Sequence, residues 1–254
     1  MSAIQTQKVS VDFEFDSVPV AHRIGLIVFE SDTTAETDFH RMLPDEGVMF
    51  HTARIEIASP ITMESLRQTA DRLPAAAAQI QLAERLDVIA YSCTAAVVAL
   101  GYQSVAEKIR MAHPKAKVIT PMTAAVEGLK RLDIEKISLL TPYKDEFNQP
   151  IRKYLEDNGI SVLNIGSFLL EKQKEMLELP PDAIHEAAIE TMHPEADALF
   201  ISCTAIRASE VVESLEATFE KPVLASIQCL FWGALRASGY GDAVLGWGEL
   251  LRLE

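Results

Sequence analysis

Several things this chain lacks narrow what it does. Its 254 residues hold only three cysteines, an odd number with no Cys-x-x-Cys pair, which excludes a disulfide framework and fits reduced thiols. The six histidines, at 22, 40, 51, 113, 185 and 193, show no metal-ligand spacing beside the cysteines, so zinc has no support and no metal is expected. The 11 glycines never gather into a G-x-G-x-x-G or Walker loop, which removes the signature of a nucleotide cofactor, and no cofactor is expected. A serine-hydrolase elbow is absent as well. Basic side chains are few: 23 against 37 acidic ones leave a net charge of −14, a field that opposes nucleic acid and anionic membrane surfaces as partners. An anionic substrate meets the same field, so positive potential for it has to come from backbone amides. No apolar run reaches the roughly 18 residues of a membrane span. Residues 1–17 carry neither the basic start nor the apolar core of a signal peptide, and the expected location is the cytoplasm.

What remains is an ordinary globular composition, 48% hydrophobic and 24% charged, with length for one large domain or two smaller ones. Eight short β-branched or aliphatic runs read as mostly parallel strands: 24–29, 49–55, 88–91, 118–120, 137–140, 161–165, 198–201 and 223–225. Helix-period segments alternate with them. One is 63–84, where Leu66, Ala70, Leu73, Ala77 and Ile80 share a face; another is 181–192, with proline in its first turn. Such alternation gives an α/β fold whose parallel sheet is covered on both faces.

The most informative feature is a repeated phrase. Tyr91-Ser92-Cys93-Thr94 and Ile201-Ser202-Cys203-Thr204 lie 110 residues apart, each closing a strand-like run and opening a helix-like one. Around them the halves overlay in order: 24–32 on 137–145, 86–98 on 196–209, and 118–123 on 223–228. Duplication predicts two pseudo-symmetric lobes, each a four-stranded parallel sheet flanked by helices, with the active site in the cleft between them. The first lobe is placed at 18–120, completed by a C-terminal helix at 226–254, and the second at 121–225.

A cysteine at the carboxyl end of a buried parallel strand stands where open α/β sheets bind ligands, and the dipole and free amides of a following helix favour its thiolate. A lone buried cysteine is an ordinary small hydrophobe. Repetition is what turns Cys93 and Cys203 into candidates for catalysis, whereas Cys229, within an apolar stretch, reads as core. Thr94 and Thr204 are helix caps, groups for a substrate carboxylate, or both. Asp32, in Ser31-Asp32-Thr33-Thr34, is an N-cap or a cleft residue. Tyr143 follows Thr141-Pro142, where proline stops the strand and aims the phenol at the cleft. The alanines at 75–78 and the leucines of 169–179 read as helix packing.

These residues carry a resemblance over about 23–240. Through GLIVFESDTTAETDF, LDVIAYSCTAAVVALG, ISLLTPYKDEFN and ADALFISCTAIRASEVV, the chain resembles the aspartate/glutamate racemase superfamily in its maleate cis-trans isomerase and arylmalonate decarboxylase branch. Within that branch it is most similar to ectoine-utilisation EutA-type proteins. The resemblance implies a cofactor-independent isomerase and a homodimer. It implies that Cys93 attacks a double bond, that Cys203 is its acid partner, and that Tyr143 helps hold a carboxylate. The asparagine usual after the first strand is Asp32 here, a later family asparagine aligns with Gln173, and the usual Ser-Asn-Gln reads Ser226-Ile227-Gln228. Arylmalonate decarboxylases lack the first cysteine, so its presence argues against decarboxylation.

The leading expectation is therefore conversion of maleate to fumarate, or of a similar small carboxylic acid. Asp32 repels a carboxylate and instead favours an amino group, which opens a second reading: racemisation or epimerisation of an amino acid or ectoine-derived compound, with the thiols as base and acid on opposite faces of the α-carbon. A non-catalytic ligand-binding protein is the third. Both enzymatic readings require a thiolate, and helix amides are expected to lower its pKa from ~8.5 by about a unit or more.

Overall fold

The computed structural model describes residues 4–14, 20–58, 61–80 and 86–254. Among the described residues, eight strands fall into two four-stranded sheets. The first holds β1 (His22–Phe29), β2 (Val48–Ile55), β3 (Val88–Tyr91) and β4 (Lys117–Ile119) in the order β2-β1-β3-β4. The second holds β5 (Lys136–Thr141), β6 (Ser161–Ser167), β7 (Ala198–Ile201) and β8 (Val223–Ala225) in the order β6-β5-β7-β8. All six strand pairings are parallel, and the two orders superpose element for element. The two-lobed α/β expectation is borne out. β3 and β7 are buried along their whole length, as continuous apolar runs in a sheet covered on both faces should be.

Helices α1 (Ala35–Met42), α2 (Met63–Gln68), α3 (Leu73–Gln79), α4 (Thr94–Leu100), α5 (Tyr102–Arg110) and α6 (Pro121–Arg131) belong to the first half of the chain. In the second half are α7 (Asp145–Asp157), α8 (Gln173–Leu177), α9 (Pro181–Thr191), α10 (Val212–Phe219), α11 (Ser226–Ser238) and α12 (Glu249–Arg252). Their starts follow from local chemistry. Thr62 with Ser65, and Thr120 with Thr123, form reciprocal capping boxes, and Pro121 occupies the first turn of α6, where no N–H is needed. α11 crosses the first sheet and packs on α6; a Cβ at Gly233 would lie only 2.9 Å from that of Ala124, so this close crossing depends on glycine.

Four expectations are corrected. The helix read over 63–84 is two helices joined by a 3-10 turn at Thr69–Arg72, because Pro74 has no N–H to give to the Ala70 carbonyl; residues 81–84 lie outside the described residues, as do 18–19 of the first lobe. The terminal helix read over 226–254 stops at Ser238, where Gly239 takes φ +93°, and resumes only as the short α12. The phrase around Cys203 opens no α-helix: a loop follows, then a 3-10 turn at Ala208–Val211. Leu169, read as helix packing, is an exposed residue at φ +52° in the loop before α8.

That loop after β7 gets its partners from the first half of the chain. Thr34 Oγ1 donates to the Ala205 carbonyl at 2.8 Å, Ser209 Oγ donates to Asp38 at 2.6 Å, and Arg41 pairs with Glu210 at 3.1 Å. Burial pushes the Asp38 carboxyl from its ordinary 3.8 up to about 6, although the Ser209 hydrogen bond and Arg41 pull the other way. The folded chain therefore holds this proton more tightly than the unfolded chain does. The stability Asp38 contributes is full below its unfolded pKa of 3.8 and is lost as the pH rises through about 6. Asp38→Asn is expected to flatten the fall in melting temperature across that window, measured by thermal scans at half-unit pH steps. An unchanged slope would count against this assignment.

Candidate active site

A cavity of about 210 Å³ lies at the carboxyl ends of β1, β3, β5 and β7, with walls from both halves of the chain. Asp32, Cys93, Tyr143, Gln173, Cys203 and Thr204 all line it. Cys93 is the N-cap of α4, and its sulfur accepts the Ala96 N–H at 3.3 Å. Cys203 accepts the Ala205 N–H, also at 3.3 Å, and the Tyr143 phenol lies beside the same sulfur in the cavity wall. Thr204 sends its hydroxyl to the Ser92 carbonyl at 3.2 Å, tying the two motifs together. Thr94 stands behind the wall, its buried hydroxyl between the Tyr143 phenol and Ser226 Oγ, to which it donates at 3.2 Å. Its visible contacts make it a support for Tyr143 and the strand end. Gln228 is engaged elsewhere, accepting from the Ala225 N–H at 3.0 Å and donating to the Trp247 carbonyl.

Asp32 is a cap after all. One oxygen, Oδ1, accepts the Thr34 and Ala35 amides at 2.8 and 2.9 Å, the start of α1. Arg54 on β2 stiffens the turn from the other side, donating to the Asp32 carbonyl at 2.9 Å and to that of Glu30 at 3.0 Å while pairing with Glu36. The remainder of the wall is largely apolar: Phe29, Ile61, Leu66, Phe147, Leu170 and Met176. Lys144 and Glu171 form an ion pair beside it, with Glu146 close by.

Burial governs the acid-base state of the thiols. It pushes Cys93 up to about 12, with Cys203 and Asp32 adding to the rise, and the amides of Ala96 and Ala95 only partly offset it. Cys203 is raised for the same first reason, against the Tyr143 phenol and the Ala205 and Ile206 amides. The expected lowering by helix amides is thus overturned: at α4 the desolvation of the sulfur outweighs its dipole. Cys229, fully buried in α11, is raised by burial too. Among the described residues, no three His, Cys, Asp or Glu side chains gather as a metal cluster. No helix among them is long and apolar enough to cross a membrane.

The apolar wall, Arg54 and the Asp38–Ser209 contact were not singled out from sequence. Arg54 had a signal, a lone arginine inside the strand-like run 49–55; the others depend on partners far apart in the chain.

Two similar parallel α/β lobes meeting over paired strand-end cysteines define a class, the two-lobed fold of the aspartate/glutamate racemase superfamily. Within it, the chain belongs to the arylmalonate decarboxylase family, whose model matches residues 24–251. It is 30% identical over 244 residues to the maleate isomerase of Nocardia farcinica, covering 91% of this chain and 95% of that one. The maleate isomerase of Alcaligenes faecalis is 26% identical over 248 residues, covering 91% and 96%. Among solved structures, a cysteine-to-serine mutant of the Nocardia farcinica maleate cis-trans isomerase, with a covalently bound succinylcysteine intermediate, superposes with a TM-score of 0.82 at 28% identity, covering 91% of this chain and 98% of that one.

Because Cys93 titrates at about 12, its alkylation by iodoacetamide is expected to rise with pH through 10 without a plateau, followed by peptide mass spectrometry. A plateau below pH 8 would mean that the resting thiol is already ionised.

Proposed function

We propose that this protein is a cofactor-independent isomerase of a small carboxylic acid, working through Cys93 and Cys203. The observation that carries this reading is the pair of sulfurs in one cavity, each at the end of an equivalent strand and each held by a backbone amide. The relative with a succinylcysteine intermediate supports a cysteine that bonds to substrate carbon.

For an unsaturated diacid such as maleate, Cys93 first gives its proton to solvent, and its thiolate then adds to one alkene carbon while the π pair takes the Cys203 proton at the other. Rotation about the new single bond follows. Return of that proton to Cys203 and departure of Cys93 give the trans acid, with nothing consumed. Tyr143, beside the Cys203 sulfur, stabilises it as a thiolate after it has given up its proton. Thr204 and Gln173 flank the substrate from the second lobe. Asp32 favours the other mode of the same pair, in which one sulfur takes the α-proton of an amino acid and the other delivers a proton to the opposite face. By the same resemblance, the assembly is a homodimer.

The test is turnover in heavy water over a panel of small acids that includes maleate and α-amino acids. Wild-type protein is expected to give cis-trans conversion or α-deuteration of at least one member. Cys93→Ser and Cys203→Ser are each expected to lower that rate by about 10³-fold or more, with circular dichroism unchanged. Full activity in either variant would overturn the two-cysteine assignment.

A further inference from the structure

We infer that Asp32 is the specificity-determining residue of this cavity, selecting a carboxylic acid that carries an ammonium group beside the reacting carbon and rejecting a second carboxylate there. This deepens the two-cysteine reading and rests on it. The geometry begins with the division of labour between the two carboxylate oxygens. Oδ1 is saturated by the Thr34 and Ala35 amides. Oδ2 has no hydrogen-bond partner among the described residues, although Asp32 is only 5% exposed and lines the cavity. An ionised carboxylate oxygen accepts hydrogen bonds and gives none. The ligand atom opposite it has to be a donor, and a positively charged donor forms the stronger bond.

Asp32 also stands close enough to the reacting groups for its charge to be felt by both Cys93 and Cys203. All three groups line one cavity, so a donor bound at Oδ2 shares that space with the carbon between the sulfurs. The remaining charges agree in sign: the cavity is lined by the carboxylates of Asp32, Glu146 and Glu171 and by one ammonium, Lys144, which is paired with Glu171. Arg54 acts on the Asp32 charge only from behind the turn: it is paired with Glu36, bonded to main-chain carbonyls there, and does not line the cavity. A dianion entering here brings two more negative charges to a site already rich in them. An aminated acid brings its own neutralising charge.

The ammonium has a second effect that a plain diacid lacks. Burial and the nearby Asp32 charge favour the protonated form of both thiols. A cation seated on Oδ2 cancels the Asp32 contribution and favours a thiolate, so the substrate helps to ionise the group that attacks it. The proton released leaves for solvent. In the step itself, one sulfur then removes the Cα proton while the C–H pair moves toward the carboxylate, and the other sulfur's proton goes to the opposite face. Thiol and thiolate have exchanged places and only the configuration at carbon has changed.

The experiment uses the full chain and needs no turnover. Protection of Cys93 and Cys203 from alkylation is titrated with matched probes that differ only in the amino group: aspartate against succinate, and 2-aminobutanoate against butanoate. In wild-type protein the aminated member of each pair is expected to protect at roughly 10- to 100-fold lower concentration, the range of one charge-assisted hydrogen bond. Asp32→Asn keeps an oxygen for the Thr34 and Ala35 amides, so α1 retains its cap, and it places an N–H donor where Oδ2 stood. This variant is expected to lose the preference for the aminated probes and to gain succinate protection and maleate turnover relative to wild type. Equal protection by both members of each pair in wild type overturns the inference. So does an Asp32→Asn variant with unchanged preference, which would mean that other residues select the amino group. Either result leaves the two-cysteine mechanism standing, since that depends on the serine variants alone.

Discussion

The cleft is assembled around the two amide hydrogen bonds on Asp32 Oδ1. They start α1 at its observed angle, and α1 then presents Thr34 and Asp38 to the loop that follows Cys203. That loop has no helix to satisfy its backbone, so its carbonyl at Ala205 and its hydroxyl at Ser209 depend on partners from the first half of the chain. The position of the second sulfur is in this way set by a carboxylate from the first half. Arg54 braces the same turn through its main-chain carbonyls, which makes the Asp32 corner rigid on both sides.

A second constraint is the competition at each sulfur between hydrogen bonding and desolvation. Amides point at both sulfurs, and Tyr143 adds a phenol at Cys203, yet burial prevails at both. Burial thus favours two neutral thiols between apolar walls. Ionisation is coupled to what enters, which suits a protein whose net charge of −14 offers no general attraction for anions.

The fold was readable because its signals are local. The runs 88–91, 198–201 and 223–225 match their strands to the residue, since a short strand buried on both faces is written as an uninterrupted apolar stretch. The duplication was readable from the Ser-Cys-Thr phrase, and the identical strand orders bear it out. Pro74 and Gly239 were also in view, but helical periodicity on either side masked the breaks they make. What could not be read was direction and partnership. Nothing in the local sequence says that the Thr94 hydroxyl turns toward Ser226, that Asp38 meets Ser209, or that desolvation at Cys93 exceeds the pull of α4. These are sums over residues distant in the chain.

The unequal settings of the two cysteines bear on ancestry. An assembly of two identical half-chains would obey a two-fold axis, and every substitution in such a protein appears on both sides of the cleft at once. Its thiols would be interchangeable. Here one sulfur caps a helix, while the other sits on an irregular loop under a phenol. Joining the halves in a single chain is what releases each copy to change alone, so the loop after Cys203 and the helix after Cys93 can present different surroundings to the two faces of one substrate.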